Sequence, residues 1–348
     1  MKNTLKEKNF QIEECQSKEE WDDFITSFKQ ANFLQSWDFY EFYKNIKHQV
    51  VRRVIKSNGK IVAAYAGEVE PAKRGRHLAI AGGPILDWTN DILIGTVFKD
   101  MISVAKKMQC IFVRVRPQIE NTSESAKIFQ KYHFKRAPIY LSVEFAGVLD
   151  LTKTEDEILA GMRQRLRRAL RKAEKNQIKI ETTTDPAAIK EFYQIELQTA
   201  KRHDFYAFSE NFLTKQFEAF AKNQEAVLYI AKKDGKILAE NFMIFYGSEA
   251  SYHYGVSSEL GTKYSGAPLL HMQAMRDARQ RGITRYNFWG IVDENDTKHR
   301  FYGVSVFKRG FGVEELKYLP AHDLILNKVE YYLKTYPIET IRRKIRHV

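Results

Sequence analysis

Cysteine is scarce: Cys15 and Cys110 are the only two in 348 residues, and they stand alone, in no spacing that suits a metal site or a disulfide framework. Long hydrophobic runs are missing too. The longest apolar stretches, such as 78–86, fall far short of the roughly 20 residues a membrane-crossing helix needs. The amino-terminal MKNTLKEKNF has no apolar core of the kind a secretory signal carries, so a cytoplasmic protein is expected. The nine histidines show neither an HxxxD pattern nor metal-ligand spacing, and no Walker-type phosphate loop occurs. Acid is short relative to base. With 43 Asp and Glu against 56 Lys and Arg, the formal charge is +13, which points to nucleic acid, phosphorylated substrates or an acidic membrane surface as partner.

What is present is a globular composition, 44% apolar and 13% aromatic, in a chain long enough for two domains with separate cores. Residues 18–30 place Trp21, Phe24, Ile25 and Phe28 at helical spacing, and a second helix is expected from the N-cap Ser36 through Trp37, Tyr40 and Tyr43. Two β-patterned runs then meet at Asn58-Gly59, a strong hairpin signal. Helical spacing returns over 91–108, and 111–117 alternates like a strand. The same order recurs. Helices over 186–201 and 209–222 precede a hairpin at Asp234-Gly235, a strand-like SYHYGV, a helix from Pro268 to about Arg281 and a strand over 284–291. The turns KSNGKIVA (56–63) and KKDGKILA (232–239) read alike. Helix, hairpin, strand, helix, strand, twice over, implies a duplicated α/β unit. The last segment, 324–348, reads as a helix broken at Pro337 with a basic end.

Between the repeats lies a basic helix, 155–175, with capping-box patterns at Thr152/Glu155 and Thr154/Glu157. Leu159, Met162, Leu166, Leu170 and Ala173 gather on one side. Arg163, Arg165, Arg167, Arg168, Arg171, Lys172 and Lys175 cover the rest, with Glu174 the only acid among them. That imbalance points to an anion, either a nucleic-acid phosphate backbone or anionic lipid headgroups.

Near the C-terminus, GVSVFKRGFG (303–312) follows a β-rich TRYNFWGI and a polar loop. Read as an apolar strand ending at Lys308, with glycines that let backbone approach a ligand, it presents a cation in a confined place, suited to an oxyanion or phosphate. The competing reading is a solvated Lys-Arg pair closing a hairpin.

This motif resembles the signature of the Fem family, the peptidoglycan-bridge aminoacyltransferases or methicillin-resistance factors. The likeness extends to QSWDFYEF (35–42), GGPILD (82–87), the basic helix, KRHDFY (201–206) and YHYGVSS (252–258). It implies two tandem acyltransferase domains of the GNAT type, α/β with mixed sheets flanked by helices: 1–148 with 319–348 packing back on it, and 149–318. No heptad run long enough for the coiled-coil arm of many members is present, so the chain looks like the armless FemX type. The resemblance further implies a tRNA-dependent aminoacyltransferase that adds glycine, alanine or serine to the stem-peptide amine of UDP-MurNAc-pentapeptide or lipid II. It would work without cofactor, as a monomer, with peripheral contact at the inner membrane face.

For individual residues, the resemblance puts Lys308 at the oxyanion and Phe307 beside the terminal adenosine, with core packing the alternative for Phe307. Arg202, with Tyr206, would hold the diphosphate together with a first-domain lysine. Lys44 stands in for that lysine, because the family position is Tyr43. Asp87 would orient or deprotonate the acceptor amine, unless it is a turn aspartate. Tyr254 matches a substrate contact, and Arg163, Arg167, Arg168, Arg171 and Lys172 would meet tRNA. Ala81-Gly82 replaces the family's usual Pro-Arg. The alternatives are a GNAT-type acyl-CoA N-acyltransferase and a non-catalytic RNA- or membrane-binding protein.

Overall fold

Capping and turn chemistry set most element boundaries in the computed structural model of this chain, which describes residues 10–203 and 206–346, without the side chains of 202, 203, 262 and 346. Strand β1 (Phe10–Glu14) leads to α1 (Lys18–Thr26), where the Ser17 side chain accepts from the Glu20 N–H. Helix α2 (Trp37–Asn45) is capped by Ser36 in the same way. Strands β2 (Gln49–Ser57) and β3 (Lys60–Glu70) form a hairpin, with Asn58 and Gly59 at φ 51° and 75° as a type I′ turn requires. Then follow β4 (His77–Gly82), β5 (Ile85–Leu86), α3 (Asp91–Lys107), β6 (Phe112–Pro117), α4 (Ser123–Lys131) and β7 (Lys135–Arg136).

The second half opens with β8 (Phe145–Asp150), α5 (Glu155–Gly161), α6 (Gln164–Lys175) and β9 (Lys179–Thr183). Helices α7 (Ile189–His203) and α8 (Glu210–Ala221) precede the hairpin β10 (Ala226–Lys233) and β11 (Lys236–Tyr246), whose Asp234 and Gly235 repeat the left-handed pair at φ 49° and 75°. It continues through β12 (Glu249–Ser257), α9 (Glu259–Tyr264), α10 (Gly266–Gln280), β13 (Arg285–Gly290), α11 (Tyr302–Arg309) and β14 (Glu314–Lys317). Strand β15 (His322–Ile325) and a helical run made of α12 (Lys328–Glu330), a π turn (Tyr331–Thr335) and α13 (Tyr336–Arg346) complete the described chain.

Two compact units result, one running to Glu144 and including Tyr318–Ile345, the other Phe145–Lys317. The first sheet is ordered β1-β2-β3-β4-β6-β15-β7, with β5 on β3; the second, β9-β10-β11-β12-β13-β8-β14, follows the same plan. Each has an antiparallel hairpin one strand in from an edge and, beside it, one parallel pair, β4 with β6 and β12 with β13. Each is completed by a strand from outside its own repeat, β15 in one and β8 in the other. The unit boundary therefore falls before Phe145, at the start of β8, four residues ahead of the expected one. The cores lie against α3 in the first unit and against α5, α6 and α10 in the second.

Three expectations need correction. The 303–309 stretch is helix α11 and not a strand. Its buried side is Ser305, Lys308 and Arg309, spaced for a helix, while Val304 and Val306 point to solvent. The basic stretch is two helices, broken where Met162 and Arg163 adopt extended backbone. The real capping box is Thr154/Glu157, because Thr152 instead turns back on Asp150. The C-terminal segment begins as strand β15, and Pro337 does not break the helix after it. The preceding π turn has already shifted the hydrogen-bond pattern, and a proline near the start of α13 removes a donor that is little needed there.

Candidate active site

The two repeats differ where their parallel strands meet. β4 and β6 pair over six residues, from His77 with Phe112 to Gly82 with Pro117. β12 and β13 pair only over Glu249–Ser251 and Arg285–Asn287. Beyond that point both strands turn aside. β12 carries an extra residue, His253, between Tyr252 and Tyr254 against consecutive residues of β11, a bulge that bends the strand. On β13, Trp289 is left-handed at φ 63°, held by the Asn287 carboxamide oxygen, which accepts its N–H at 2.8 Å. The strands part.

Lys308 enters that opening from α11. Ser305 positions the helix by accepting from the Val292 N–H and donating to the Phe301 carbonyl. One turn on, the Lys308 ammonium donates to the Gly290 carbonyl at the end of β13 (2.7 Å) and lies 5.4 Å from the Tyr252 ring centre on β12. It is 7% exposed, and burial lowers its pKa to about 7. His271 of α10 packs edge-on against Tyr252 and sits within hydrogen-bond distance of the Tyr286 hydroxyl through Nδ1. Burial, and next the Lys308 charge, push its pKa down to about 3, so the imidazole is neutral. The Tyr252 hydroxyl occupies the space where residue 255 would carry a Cβ, which only glycine leaves empty.

The neighbouring Arg309 is a strut, bonded to Glu315 and the Val292 carbonyl. Gly312, at φ 78°, approaches the Gly161 carbonyl so closely that a Cβ would lie 2.6 Å from it. Gly312 thus seats the end of α11 against the α5–α6 break, where the Arg163 N–H also donates to the Gly310 carbonyl. Phe307 is half-buried and packs on His271 and Phe311, the core-packing alternative.

Tyr254 packs on Phe208 and Phe242. Tyr206 is 82% exposed. The Arg202 side chain lies outside the described residues. Lys44 is exposed and paired with Glu41 at 3.1 Å. Asp87 is exposed and accepts from the Thr89 hydroxyl and N–H, which hold its carboxyl below its ordinary pKa. Gln35 of the QSW stretch is a buried brace: its carboxamide donates to the Ala66 and Ala81 carbonyls and accepts from the Ala66 N–H, spanning β3 and β4. On the basic stretch, Arg163, Arg168, Arg171 and Lys172 are exposed. Arg167 folds back to donate to the Leu159, Ala160 and Met162 carbonyls, capping the end of α5.

Two acids escaped sequence reasoning. Glu240 of β11 is fully buried with no hydrogen-bond partner on either oxygen among the described residues, and burial raises its pKa to about 8. Glu196 of α7 is raised to about 7 by burial. Neither stands in a motif, so no local signal marks them. Tyr252 and His271 were missed as well, although Tyr252 lies inside the YHYGVSS stretch. The glycines that could suggest a coenzyme A phosphate loop ahead of α10 serve packing: a Cβ on Gly261 would lie 2.1 Å from the Leu238 carbonyl, and one on Gly266 would meet the Leu238 side chain.

Comparison with known proteins agrees with this architecture. A profile of the FemAB family matches residues 16–236 and 213–337. The lipid II:glycine glycyltransferase of Staphylococcus epidermidis is 20% identical over 324 residues, covering 73% of this chain and 78% of that protein. The aminoacyltransferase FemB of the same species is 30% identical over 119 residues, 34% of this chain and 28% of that one. Among solved structures, FemX superposes with a TM-score of 0.83 at 19% identity, covering 93% of this chain and 99% of its own. A tandem GNAT protein from the clavulanic acid biosynthesis pathway gives 0.59 at 11% identity, over 91% and 98%. The fold is that of two GNAT-like domains in tandem.

Proposed function

Since this chain belongs to the FemAB family, and is therefore a transferase, we propose that it moves an aminoacyl group from aminoacyl-tRNA to the stem-peptide amine of a peptidoglycan precursor, with Lys308 at the reacting centre. The observation that carries this reading is the buried Lys308 ammonium in the gap between β12 and β13. An aminoacyl ester is already activated. Transfer needs alignment of the amine with the carbonyl, a donor for the tetrahedral oxyanion and a route for the ammonium proton. A cation held by one carbonyl in a desolvated gap can meet that charge with little reorganisation. The name of the glycyltransferase relative supports glycine as the amino acid and lipid II as the acceptor, with alanine, serine and the UDP-linked pentapeptide as the other pairings to test. Arg202 suits the acceptor diphosphate through its planar fork. The exposed Arg163, Arg168, Arg171 and Lys172 suit the tRNA backbone.

The test is a single-turnover assay with preformed aminoacyl-tRNA and either acceptor, products read by mass. Lys308→Met keeps the bulk of the stem without its charge. It is expected to bind both substrates within several-fold of wild type and to transfer about 10²–10³-fold more slowly. Transfer at near wild-type speed would make Lys308 structural.

A further inference from the structure

The C-terminal helical run is inverted relative to an ordinary surface helix, which turns its apolar stripe inward. Its buried residues are Tyr331, Thr335 and Glu339, and each is held by a polar bond. The Tyr331 hydroxyl donates to Asp323 (2.6 Å), the Thr335 hydroxyl donates to the Arg74 carbonyl (2.6 Å), and Glu339 accepts from Arg74 and Arg114. The wide π turn at Tyr331–Thr335 averages with the tighter α-helical turn, so every fourth residue stays in line on the inward side. The outward side carries the apolar residues: Val329, Leu333, Tyr336, Ile338, Ile341 and Ile345 are all exposed, Leu333 at 73%, Val329 at 69% and Ile345 at 66%.

Such a continuous apolar face calls for a partner, and the charges around it select which. Between 328 and 346 the sequence has six basic residues and two acids, and one of those acids, Glu339, is already bound to Arg74 and Arg114. A basic face fits an anionic partner. Among the described residues no helix is long and apolar enough to cross a membrane, which leaves binding in the plane of the surface. We propose that residues 328–345 form an interfacial anchor for a bilayer that contains anionic phospholipid. The outward face sinks to the boundary between headgroups and acyl chains, and Lys328, Lys334 and Lys344 meet lipid phosphates. The polar bonds on the opposite side hold the helix to the first unit with its apolar side outward.

Vesicle flotation of the full chain tests this without reference to the transfer reaction. The chain is expected to float with mixed phosphatidylcholine–phosphatidylglycerol vesicles and to bind pure phosphatidylcholine at least tenfold less well. High salt is expected to narrow that difference. Leu333→Asp with Ile341→Asp is expected to abolish flotation while circular dichroism and the urea midpoint stay at wild-type values, because both positions are exposed. Lys328→Gln with Lys344→Gln is expected to weaken binding to the mixed vesicles by about fivefold per charge removed. Failure of the wild-type chain to float, or flotation of the double Asp variant equal to wild type, would overturn the proposal. So would a dimer, seen by light scattering, that the double Asp variant dissociates while vesicles are ignored, since the face would then join two copies of this chain. The transfer assay with a soluble UDP-linked acceptor keeps the two readings apart: the double Asp variant is expected to keep wild-type activity there.

Discussion

Lys308 shows how one residue's environment changes its chemistry. An exposed lysine stays protonated to a pKa of about 10.4, whereas burial brings this one to about 7. Between these values the unfolded chain binds the proton and the folded chain does not, so this group's contribution to stability grows as pH rises from about 7 toward 10.5 and is flat below 7. Lys308→Met removes that dependence. Its stability relative to wild type is expected to decline over this window, read as urea midpoints at a series of pH values. In single turnovers, a required ammonium predicts a wild-type rate component that falls as pH passes about 7 and that is absent from Lys308→Met. A rate that only rises through 7 would make Lys308 a base instead. Gly312 allows a second residue-scale test. At φ 78° and with the Gly161 carbonyl 2.6 Å from a Cβ, Gly312→Ala is expected to cost roughly 1–3 kcal/mol in chemical denaturation.

At the scale of elements, the break between α5 and α6 separates two roles that one continuous helix would have merged. Arg167 closes the carbonyl end of α5, whereas Arg168 and Arg171 project outward. Arg167→Gln is expected to lower stability by roughly 1–2 kcal/mol, because a half-buried cap then goes without its charged hydrogen bonds. Arg168→Gln and Arg171→Gln are expected to stay within about 0.5 kcal/mol of wild type. They are expected to weaken tRNA binding and to make the slope of log affinity against log salt shallower by about 1 for each phosphate that is no longer neutralised. Filter binding at several salt concentrations, alongside urea melts, separates the two effects.

At the scale of the whole molecule, the first unit depends on chain that comes after the second. β15 pairs with β6 and β7, and Arg114 on β6 is buried against Asp323 and Glu339. Ending the chain at Lys317 is expected to unfold the first unit, since removing the partners of a buried charge costs about 3–5 kcal/mol for each broken pair and β6 and β7 would lose the strand that lies between them. Burial alone would raise the Glu339 carboxyl pKa, but Arg114 and then Arg74 outweigh it and hold it below 4.5. The stability this group adds is present above that value and lost as pH falls through its folded pKa. Glu339→Gln is expected to be less stable than wild type at neutral pH and to lose less on acidification, measured by thermal melts from pH 7 to pH 3.

The duplicated order of elements, both I′ hairpins at Asn58-Gly59 and Asp234-Gly235, the Ser36 cap and the helices around Trp21 and Trp37 follow from the sequence by itself. Each depends on neighbours a few residues away: a turn that needs two left-handed residues, a cap that needs one hydroxyl, a stripe that repeats with the helical turn. Family membership was legible for a related reason, because its motifs run in order along the chain. The site was legible only in part. Lys308 stood out, yet its strand-like surroundings misled, because α11 buries Ser305, Lys308 and Arg309 and exposes Val304 and Val306, the reverse of the usual hydrophobic pattern. The tertiary structure alone decided the parting of β12 from β13, the pairing of Tyr252 with His271, the capping by Arg167 and the outward apolar face at the C-terminus. The Arg167 cap reaches back only five to eight residues, but across a helix break that the charge pattern does not announce; the others join residues far apart in sequence, and the free energy that sets them comes from burial and long-range hydrogen bonds, which leave no periodic mark on the chain.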